Sequence, residues 1–381
     1  MKQFINIAES FRTWLEIDPK AIEKNTRTLK SLLSNKVVMM AVVKSNAYGH
    51  GMILSAKAVL SGGADWLAVD EITEALELRR AGFKVPILVF GYTLPKYFKI
   101  ASQKKISLTI SSLDSLSILS KTKLPKKLSI HLKFDTGLHR QGITETHVQQ
   151  IIRIISAKNF PAKIEGAYTH FAVMEDPMRE DYSKMQANNF RNIVEKLNQR
   201  GFTPITHASA SSGILFSKNF HFDMSRAGIA LYGLWPSREI KLWSKGVEIF
   251  PALTWKTIIT EIKLAGKGSK IGYDLTHELT KNSRLAIIPV GYWHGLPRSL
   301  SNNGQVLVCG KRADIVGRIS MDMTIINVTD IPSVKQGDEV VIIGKQGKEI
   351  ISAEEMAEAA DTINYEIVAR INPKIPRILP L

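Results

Sequence analysis

Cysteine is almost absent from this chain, which has one among its 381 residues. A single cysteine, Cys309, excludes an intramolecular disulfide and any metal cluster built on cysteine ligands, and it suits a reducing compartment. We expect Cys309 to be a small buried hydrophobe, as isolated cysteines usually are. No other metal-ligand spacing occurs in the sequence, so we expect no resident metal.

Long apolar runs are missing as well. No segment approaches the roughly 20 apolar residues that cross a bilayer. The start of the chain, MKQFINIAES, lacks the apolar core and cleavage site of a secretory signal. With 44% hydrophobic and 23% charged residues, the composition is that of a soluble globular protein, long enough for two domains. We expect no membrane partner and a cytoplasmic location.

Acidic residues are fewer than basic ones, 35 against 51, which leaves a net charge of +16. An excess of this size raises the question of a nucleic-acid partner. The basic residues are nevertheless scattered, and the dense cluster KTKLPKK at 121–127 has the composition of a loop. No basic helix or aromatic-basic stripe occurs. We therefore favour a solvated surface and expect no nucleic-acid partner.

Strands and helices alternate along the first part of the chain. Asp18 and Pro19 mark the start of a first helix. Eight apolar segments then predict strands, at 37–43, 66–69, 86–90, 107–110, 129–134, 164–170, 205–208 and 228–232. Eight such units favour an α/β chain with a (β/α)8 TIM barrel over a doubly wound sheet, and in a TIM barrel the chemistry lies at the C-terminal ends of the strands.

From about residue 242 the pattern changes to short apolar runs separated by Gly, Asn and Asp turns, which predicts a mainly β domain. One helix interrupts it, where Ser352 and Glu355 form a capping-box pattern. We therefore predict a barrel domain at 1–241 and a β-rich domain at 242–381, with residues 1–12 packing with the second domain.

One lysine stands at the end of an apolar run. Residues 37–43, VVMMAVV, lead into Lys44 and a polar turn that contains glycine. A lysine that leaves a buried strand is partly desolvated, which favours the free amine that attacks an aldehyde. From the run alone, a surface lysine that merely ends a strand is an equally good interpretation.

The continuation of this run, SNAYGHG at 45–51, resembles the cofactor-lysine motif of alanine racemases, which use pyridoxal 5'-phosphate to interconvert L- and D-alanine. The resemblance implies that Lys44 holds the cofactor covalently and later acts as the base on one face of the substrate α-carbon. It also implies that Tyr48 binds the cofactor phosphate.

A second segment, KFDTGLHR at 133–140, resembles the family pattern Lys-x-Asp-Thr-Gly-Met-x-Arg, with Leu138 in place of methionine. In many members the lysine is carbamylated and orients the arginine, which binds the substrate carboxylate. These roles would fall to Lys133 and Arg140. The strand alternation alone fits an interior Lys133 paired with Asp135 equally well.

Further motifs supply the rest of a cofactor site. The segment YTHF resembles a family motif in which the histidine, here His170, supports the phenol of the opposing base. His207 extends the same polar network. The usual Ala-Asn-Ser is changed, so that Ala210 stands for the asparagine, while Ser211 keeps a hydroxyl for the phosphate.

The segment RAGIALYG at 226–233 also resembles the family. Gly228 and Ile229 would offer backbone N–H groups to the phosphate. Arg226 would face the pyridine nitrogen and, being always charged, leave it unprotonated. A weaker electron sink suits simple proton exchange, and it speaks against related decarboxylases. The alternative, a surface arginine before a strand, explains none of the neighbouring matches.

The second domain resembles the family at its catalytic tyrosine. Tyr273 would be the base opposite Lys44, supplied from a partner subunit, and Asp274 replaces the usual glycine after it. The backbone N–H of Met321, in RISMD, would meet the substrate carboxylate. Tyr292 and Tyr365 would line the path by which substrate enters, and Tyr365 would also reach the phosphate.

The resemblance spans Lys44 to Tyr365 and implies a homodimer with shared active sites that interconverts L- and D-alanine for peptidoglycan. Two alternatives remain open: a racemase of serine or of many amino acids, and a non-catalytic pyridoxal-phosphate carrier. The carrier is a lone barrel, so Tyr273 and Met321 distinguish it from a racemase.

Overall fold

The structure is a computed structural model and describes residues 10–380, so the expectation for residues 1–9 lies outside it. Two compact units are present. The barrel unit comprises Lys20–Ala47 and Met52–Phe250, and the β unit comprises the described residues up to Pro19, Tyr48–Gly51 and the chain from Pro251 onward. Within 10–380, no helix is long and apolar enough to span a membrane.

Twenty strands, numbered along the chain, are described: β1 (Thr13–Ile17), β2 (Val38–Val42), β3 (Trp66–Val69), β4 (Ile87–Val89), β5 (Ile106–Ile110), β6 (Leu128–Lys133), β7 (Ala162–Tyr168), β8 (Ile205–His207), β9 (Met224–Ala227), β10 (Leu253–Ile258), β11 (Glu261–Ala265), β12 (Lys270–Ile271), β13 (His277–Glu278), β14 (Ser283–Ile288), β15 (Gln305–Val308), β16 (Lys311–Ile315), β17 (Thr324–Asn327), β18 (Glu339–Gln346), β19 (Glu349–Ile351) and β20 (Arg377–Ile378).

The α-helices lie at Pro19–Leu32, Met52–Ser61, Ile72–Arg80, Phe98–Lys104, Leu113–Ser120, Val148–Ile155, Glu180–Asn198, Ser211–Phe216, Arg238–Trp243, Ala353–Ala359 and Asn364–Ala369. Short 3-10 helices lie at Pro95–Tyr97, Glu145–His147, Pro177–Arg179, Lys218–Phe220, Ile229–Tyr232, Tyr273–Leu275, Tyr292–His294 and Arg298–Leu300. The predicted domain boundary after residue 241 falls inside the helix Arg238–Trp243 and stays a prediction.

The barrel unit confirms the predicted fold class. Strands β2 to β9 are parallel, each pairs with the next, and β9 closes the barrel on β2. Strands β3, β4 and β5 are buried along their whole length, and the sequences of β3 and β4 are accordingly continuous apolar runs. The C-terminal ends of the eight strands therefore meet at one end of the barrel.

The last predicted barrel strand was wrong. The strand is Met224–Ala227, and residues 229–232 form a 3-10 helix instead. Gly228 breaks the extended chain, with φ −124° and ψ −106°. Residues 229–232 are buried in the 3-10 helix, as they would be in a strand, so the apolar pattern could not distinguish a helix from a strand here.

The β unit is built on a mostly antiparallel sheet in the order β11-β14-β17-β16-β15-β18-β10-β1-β20, with β19 paired to β18. Strand β1 joins it between β10 and β20. The predicted capping box is half formed: Ser352 Oγ accepts from the Glu355 N–H at 3.1 Å, but the Glu355 carboxylate binds Arg312. The expectation for Cys309 was wrong: this residue is exposed, because it lies in the tight turn between β15 and β16, with φ +50°.

Candidate active site

Lys44 follows β2 at the C-terminal end of the barrel. Its side chain is 35% exposed, and Nζ lies 3.5 Å from Asp70 Oδ1. The next three residues, 45 to 47, adopt left-handed φ angles of 54°, 53° and 55°. Left-handed backbone costs roughly 1 kcal/mol per residue outside glycine. Contacts from Glu74 to the Ser45 N–H at 2.6 Å and from Asn46 Oδ1 to the Met52 N–H at 2.9 Å hold this turn.

Arg226 lies inside β9 and is only 4% exposed, so it is not a surface arginine. Its Nη1 donates to His207 Nδ1 at 2.7 Å. Its Nη2 lies 3.0 Å from Thr169 O, 2.6 Å from Ala208 O and 3.1 Å from His170 Nδ1. The Nε–H and one Nη1–H find no acceptor among residues 10–380. Protein acceptors therefore hold Nη2 and one Nη1–H of Arg226, while its Nε–H and its other Nη1–H remain available as donors.

The two histidines beside Arg226 are neutral. Burial, and then the charge of Arg226, hold the pKa of His170 and of His207 well below the ordinary value. Arg226 Nη1 donates to His207 Nδ1, and a hydrogen on His170 Nδ1 would oppose the Nη2 donor 3.1 Å away, so each neutral ring carries its hydrogen on Nε2. The structure therefore brings His170, His207 and Arg226 together as predicted, and it leaves His170 Nε2 as a donor.

Tyr168 was not among the predicted site residues, but it lies at the centre of this group. Its ring stacks on His207, with centroids 4.6 Å apart, and the Arg226 guanidinium lies 5.2 Å from its centroid. Burial raises the pKa of its phenol to about 12, so it stays protonated. The sequence matched Tyr168 to a family motif but assigned this residue no role. Only the contacts across the barrel show that its ring packs against His207 and Arg226.

Lys133, at the end of β6, is buried, and its Nζ lies 3.0 Å from Gln141 Oε1. Burial lowers its pKa to about 8, and the charges of Arg140 and Arg226 add to this effect. The alternative pairing with Asp135 is not formed. Asp135 Oδ1 instead accepts backbone N–H groups from residues 137, 138 and 139, at 2.9 to 3.1 Å.

Backbone donors converge after β9. The N–H groups of Gly228 and Ala230 donate to Ser211 Oγ, at 2.9 Å and 3.4 Å, so the predicted Gly228 donor is already engaged in this structure while the Ser211 hydroxyl keeps its own hydrogen to donate. Ile229 begins a 3-10 helix, so its N–H has no partner inside that helix. A hydroxyl and backbone N–H groups at the C-terminal end of the barrel are the donors that a phosphate group requires.

Arg140, in the loop after β6, lies in the barrel unit and is exposed, and the other predicted residues lie in the β unit. The rings of Tyr48 and Tyr365 have centroids 6.2 Å apart. Tyr292 and Met321 lie on neighbouring segments, joined by the Tyr292 N–H to the carbonyl of Ser320 at 3.1 Å. The side chains of Tyr273, Tyr292 and Met321 are exposed, and that of Tyr273 most of all, at 69%.

Asp274, which replaces the usual glycine after Tyr273, lies beside two arginines. Asp274 has a left-handed φ of 59°, a conformation that favours glycine. Its Oδ2 lies 3.5 Å from Arg318 Nε and 3.9 Å from an Nη2 of Arg298. Two guanidinium groups therefore oppose the charge that Asp274 places beside Tyr273.

Comparisons with known proteins agree with this arrangement. The profile described as "Alanine racemase, N-terminal domain" matches residues 17–236, and "Alanine racemase, C-terminal domain" matches residues 252–379. The chain is 41% identical to an alanine racemase of Halothermothrix orenii, over 96% of each chain.

Solved structures give the same answer. The alanine racemase of Bacillus anthracis with bound L-Ala-P superposes with a TM-score of 0.89 at 36% identity, covering 97% of this chain and 95% of that one. That of Streptomyces coelicolor superposes with a TM-score of 0.91 at 30% identity, covering 97% and 98%. This chain therefore belongs to the alanine racemase family of isomerases.

Proposed function

We propose that this protein interconverts L-alanine and D-alanine with pyridoxal 5'-phosphate as cofactor, and so supplies D-alanine for peptidoglycan. The observation that carries the proposal is the pairing of β2 with β9, in which Met40 stands opposite Arg226. Lys44 and Arg226 thus come from neighbouring strands. At one end of the barrel, Lys44 therefore offers an amine that would react with the cofactor aldehyde. Arg226 offers a permanent positive charge for the pyridine nitrogen of the cofactor.

The residues present fit this cofactor. Lys44 offers an amine on a side chain that is 35% exposed, and the Ser211 hydroxyl and the Ile229 N–H offer donors to a phosphate. The Gly228 N–H, which donates to Ser211 Oγ here, would join them by turning to the phosphate. Tyr48 and Tyr365 are proposed as further phosphate contacts from the β unit. Arg226 keeps its Nε–H for the pyridine nitrogen. When bound, the cofactor supplies an electron sink for the charge left on the substrate α-carbon by proton removal.

Arg226 limits how strong that sink becomes. An arginine stays protonated and only donates, so a pyridine nitrogen held against Arg226 would stay unprotonated. Arg226 would thereby favour return of the proton to the same carbon over other reactions. Burial of the guanidinium among Thr169, Ala208 and His207 prevents it from turning away.

Two bases are needed for exchange on both faces of a planar carbon. We propose Lys44 for one face and Tyr273 of the partner subunit for the other, with His170 Nε2 donating to its phenol oxygen. The homodimer is supported by large exposed apolar side chains in the β unit, which a partner subunit would cover: Tyr273, Leu275, Tyr292, Trp293, Met321, Met323 and Ile363.

Substrate alanine would be held through its carboxylate. We propose Arg140 and the backbone N–H of Met321 for this contact, with Lys133 as a carbamate that orients Arg140. A lysine whose pKa is about 8 offers an appreciable fraction of free amine, the form that combines with carbon dioxide. Serine or broader turnover stays an alternative, because a small pocket rejects an added hydroxyl or methylene by only about 1 to 3 kcal/mol.

Complementation tests the shared site. Lys44→Ala and Tyr273→Phe homodimers should each be inactive. A hybrid dimer of the two chains, purified through two different tags, should regain racemisation, because one of its sites combines Lys44 of one chain with Tyr273 of the other. If each site instead used both residues of one chain, the hybrid would stay inactive, and the dimeric mechanism would be wrong.

A further inference from the structure

Four side chains form a continuous line through the barrel interior, from β9 to β7. Arg226 Nη1 lies 2.7 Å from His207 Nδ1, and His207 Nε2 lies 2.8 Å from His131 Nδ1. On the far side of that ring, His131 Nε2 lies 3.5 Å from Glu165 Oε2. Both histidines are fully buried, so bulk water does not compete for these contacts.

The two ends of the line determine which ring nitrogens carry hydrogen. A guanidinium only donates, so it requires an unprotonated Nδ1 on His207. Burial holds the pKa of both histidines below the ordinary value, so each neutral ring has one N–H. That of His207 is on Nε2 and faces His131 Nδ1. The N–H of His131 is then on its own Nε2 and faces the Glu165 carboxylate, which only accepts.

Glu165 is itself held in place. Ser107 Oγ and Ser129 Oγ both donate to it, the second at 3.1 Å. Burial alone would raise its pKa, but His131 and the two serines outweigh burial and hold the pKa below the ordinary value. The carboxylate is therefore charged at neutral pH.

Strand β7 leaves room for the His131 ring in the middle of this line of side chains. Gly166 stands opposite His131 in the strand register, and a Cβ at this position would lie 2.2 Å from His131 Nδ1. His131 Nε2 is buried, and its 3.5 Å contact with Glu165 Oε2 is longer than a regular hydrogen bond, so the carboxylate acts on the His131 N–H mainly through its charge.

We propose that Glu165 is a positioning residue, which fixes the tautomers of His131 and His207 and through them the orientation of Arg226 at the pyridine nitrogen. The inference rests on the proposed function, because it assigns Arg226 a role at the cofactor. Without the carboxylate, His131 is free to carry hydrogen on Nδ1. His207 then carries hydrogen on its own Nδ1, where it opposes the donor of Arg226, and two facing donors lose a hydrogen bond.

Histidine labelled with 15N in the ring tests this directly, since protonated and unprotonated nitrogens differ widely in chemical shift. In the wild-type holoenzyme, His131 and His207 should both carry hydrogen on Nε2. In Glu165→Gln, whose amide can donate to His131, hydrogen should appear on Nδ1 of His131. We expect kcat to fall about tenfold at unchanged KM, the order of magnitude that the loss of one buried hydrogen bond at Arg226 costs. The absorbance band of the bound cofactor should shift as well.

The matched control is Glu145→Gln, which removes a surface carboxylate paired with Lys196 and should change neither tautomers nor kcat. If Glu165→Gln does not fold, Ser129→Ala removes one hydrogen bond of the same carboxylate and should move both readouts in the same direction. Wild-type His131 with hydrogen on Nδ1, or a variant with wild-type tautomers and kcat, would overturn the proposal. If the wild-type protein shows the expected tautomers but leaves alanine unchanged, the proposed function is refuted, and the role of Arg226 at the cofactor is refuted with it.

Discussion

Lys133 is buried with a neutral partner: its Nζ lies 3.0 Å from Gln141 Oε1, while the nearby Asp135 binds backbone N–H groups. The lysine therefore lacks the opposite charge that would keep it protonated, and its pKa falls to about 8. This is the environment in which a lysine amine is available to carbon dioxide near neutral pH.

Small anions should restore part of the racemase activity that is lost with the Lys133 amine. Lys133→Ala should lose most racemase activity and regain part of it with added short carboxylates such as acetate, because these replace the negative charge beside Arg140. Gln141→Glu is the matched variant, since a carboxylate at Nζ should keep the lysine protonated and reduce labelling by 13C-enriched carbon dioxide. In wild type, this labelling should rise as the pH increases through about 8. Full activity of Lys133→Ala without added anion would refute the carbamate.

Acid should destabilise the protein through its buried histidines. The pKa of His131, His170 and His207 lies below the ordinary value in the folded chain, so below about pH 6.5 the unfolded chain binds more protons. The free energy of unfolding should fall as pH decreases from 6.5, by at most about 1.4 kcal/mol per pH unit for each histidine.

Urea unfolding at a series of pH values measures this slope. The control is His147→Gln, which removes an exposed histidine and keeps the three buried rings, so the fall in stability with acid should persist. A flat profile between about pH 6.5 and 5 would show that these rings already titrate normally in the folded protein.

Gly49 should tolerate no side chain. Its φ is +86°, and a Cβ would lie 2.1 Å from the carbonyl oxygen of Val368, a backbone atom that cannot move aside. Gly49→Ala should therefore lower the free energy of unfolding by roughly 3 to 5 kcal/mol. Gly63→Ala is the control, with φ +99° and open space, and should cost only about 1 kcal/mol. Equal urea midpoints for the two variants would contradict the close approach.

Asp274 should be replaceable by the usual glycine. The change relieves a left-handed φ of 59° and removes only exposed ion pairs with Arg298 and Arg318. The free energy of unfolding should stay within about 1 kcal/mol of wild type. Because the two arginines already oppose the carboxylate, the activity–pH profile should not move; a clear shift would show that the charge reaches Tyr273. Asp361→Gly, at φ 55°, is the control for backbone strain alone.

Much of the site could be predicted because its residues follow strand ends within short motifs. Lys44, Lys133 and Arg226 each lie at or just after a barrel strand, and parallel strands bring such positions together at one end of a barrel.

Contacts between distant strands could not be predicted in this way. Gln141 reaches Lys133 from a loop, and Glu165 faces His131 because the pairing of β6 with β7 shifts register after Ile130. A register shift leaves no mark in the periodicity of either strand. The same limit explains Cys309, whose exposure depends on a tight turn rather than on its chemistry.

The most direct test of the proposed function is chiral analysis of the products formed from L-alanine, L-serine and L-lysine by the purified, cofactor-loaded protein. Rapid formation of D-alanine, lost in Lys44→Ala and slower with the other two amino acids, is the result that we predict. A protein that holds the cofactor through Lys44 yet inverts no amino acid would contradict the proposal and favour a non-catalytic carrier.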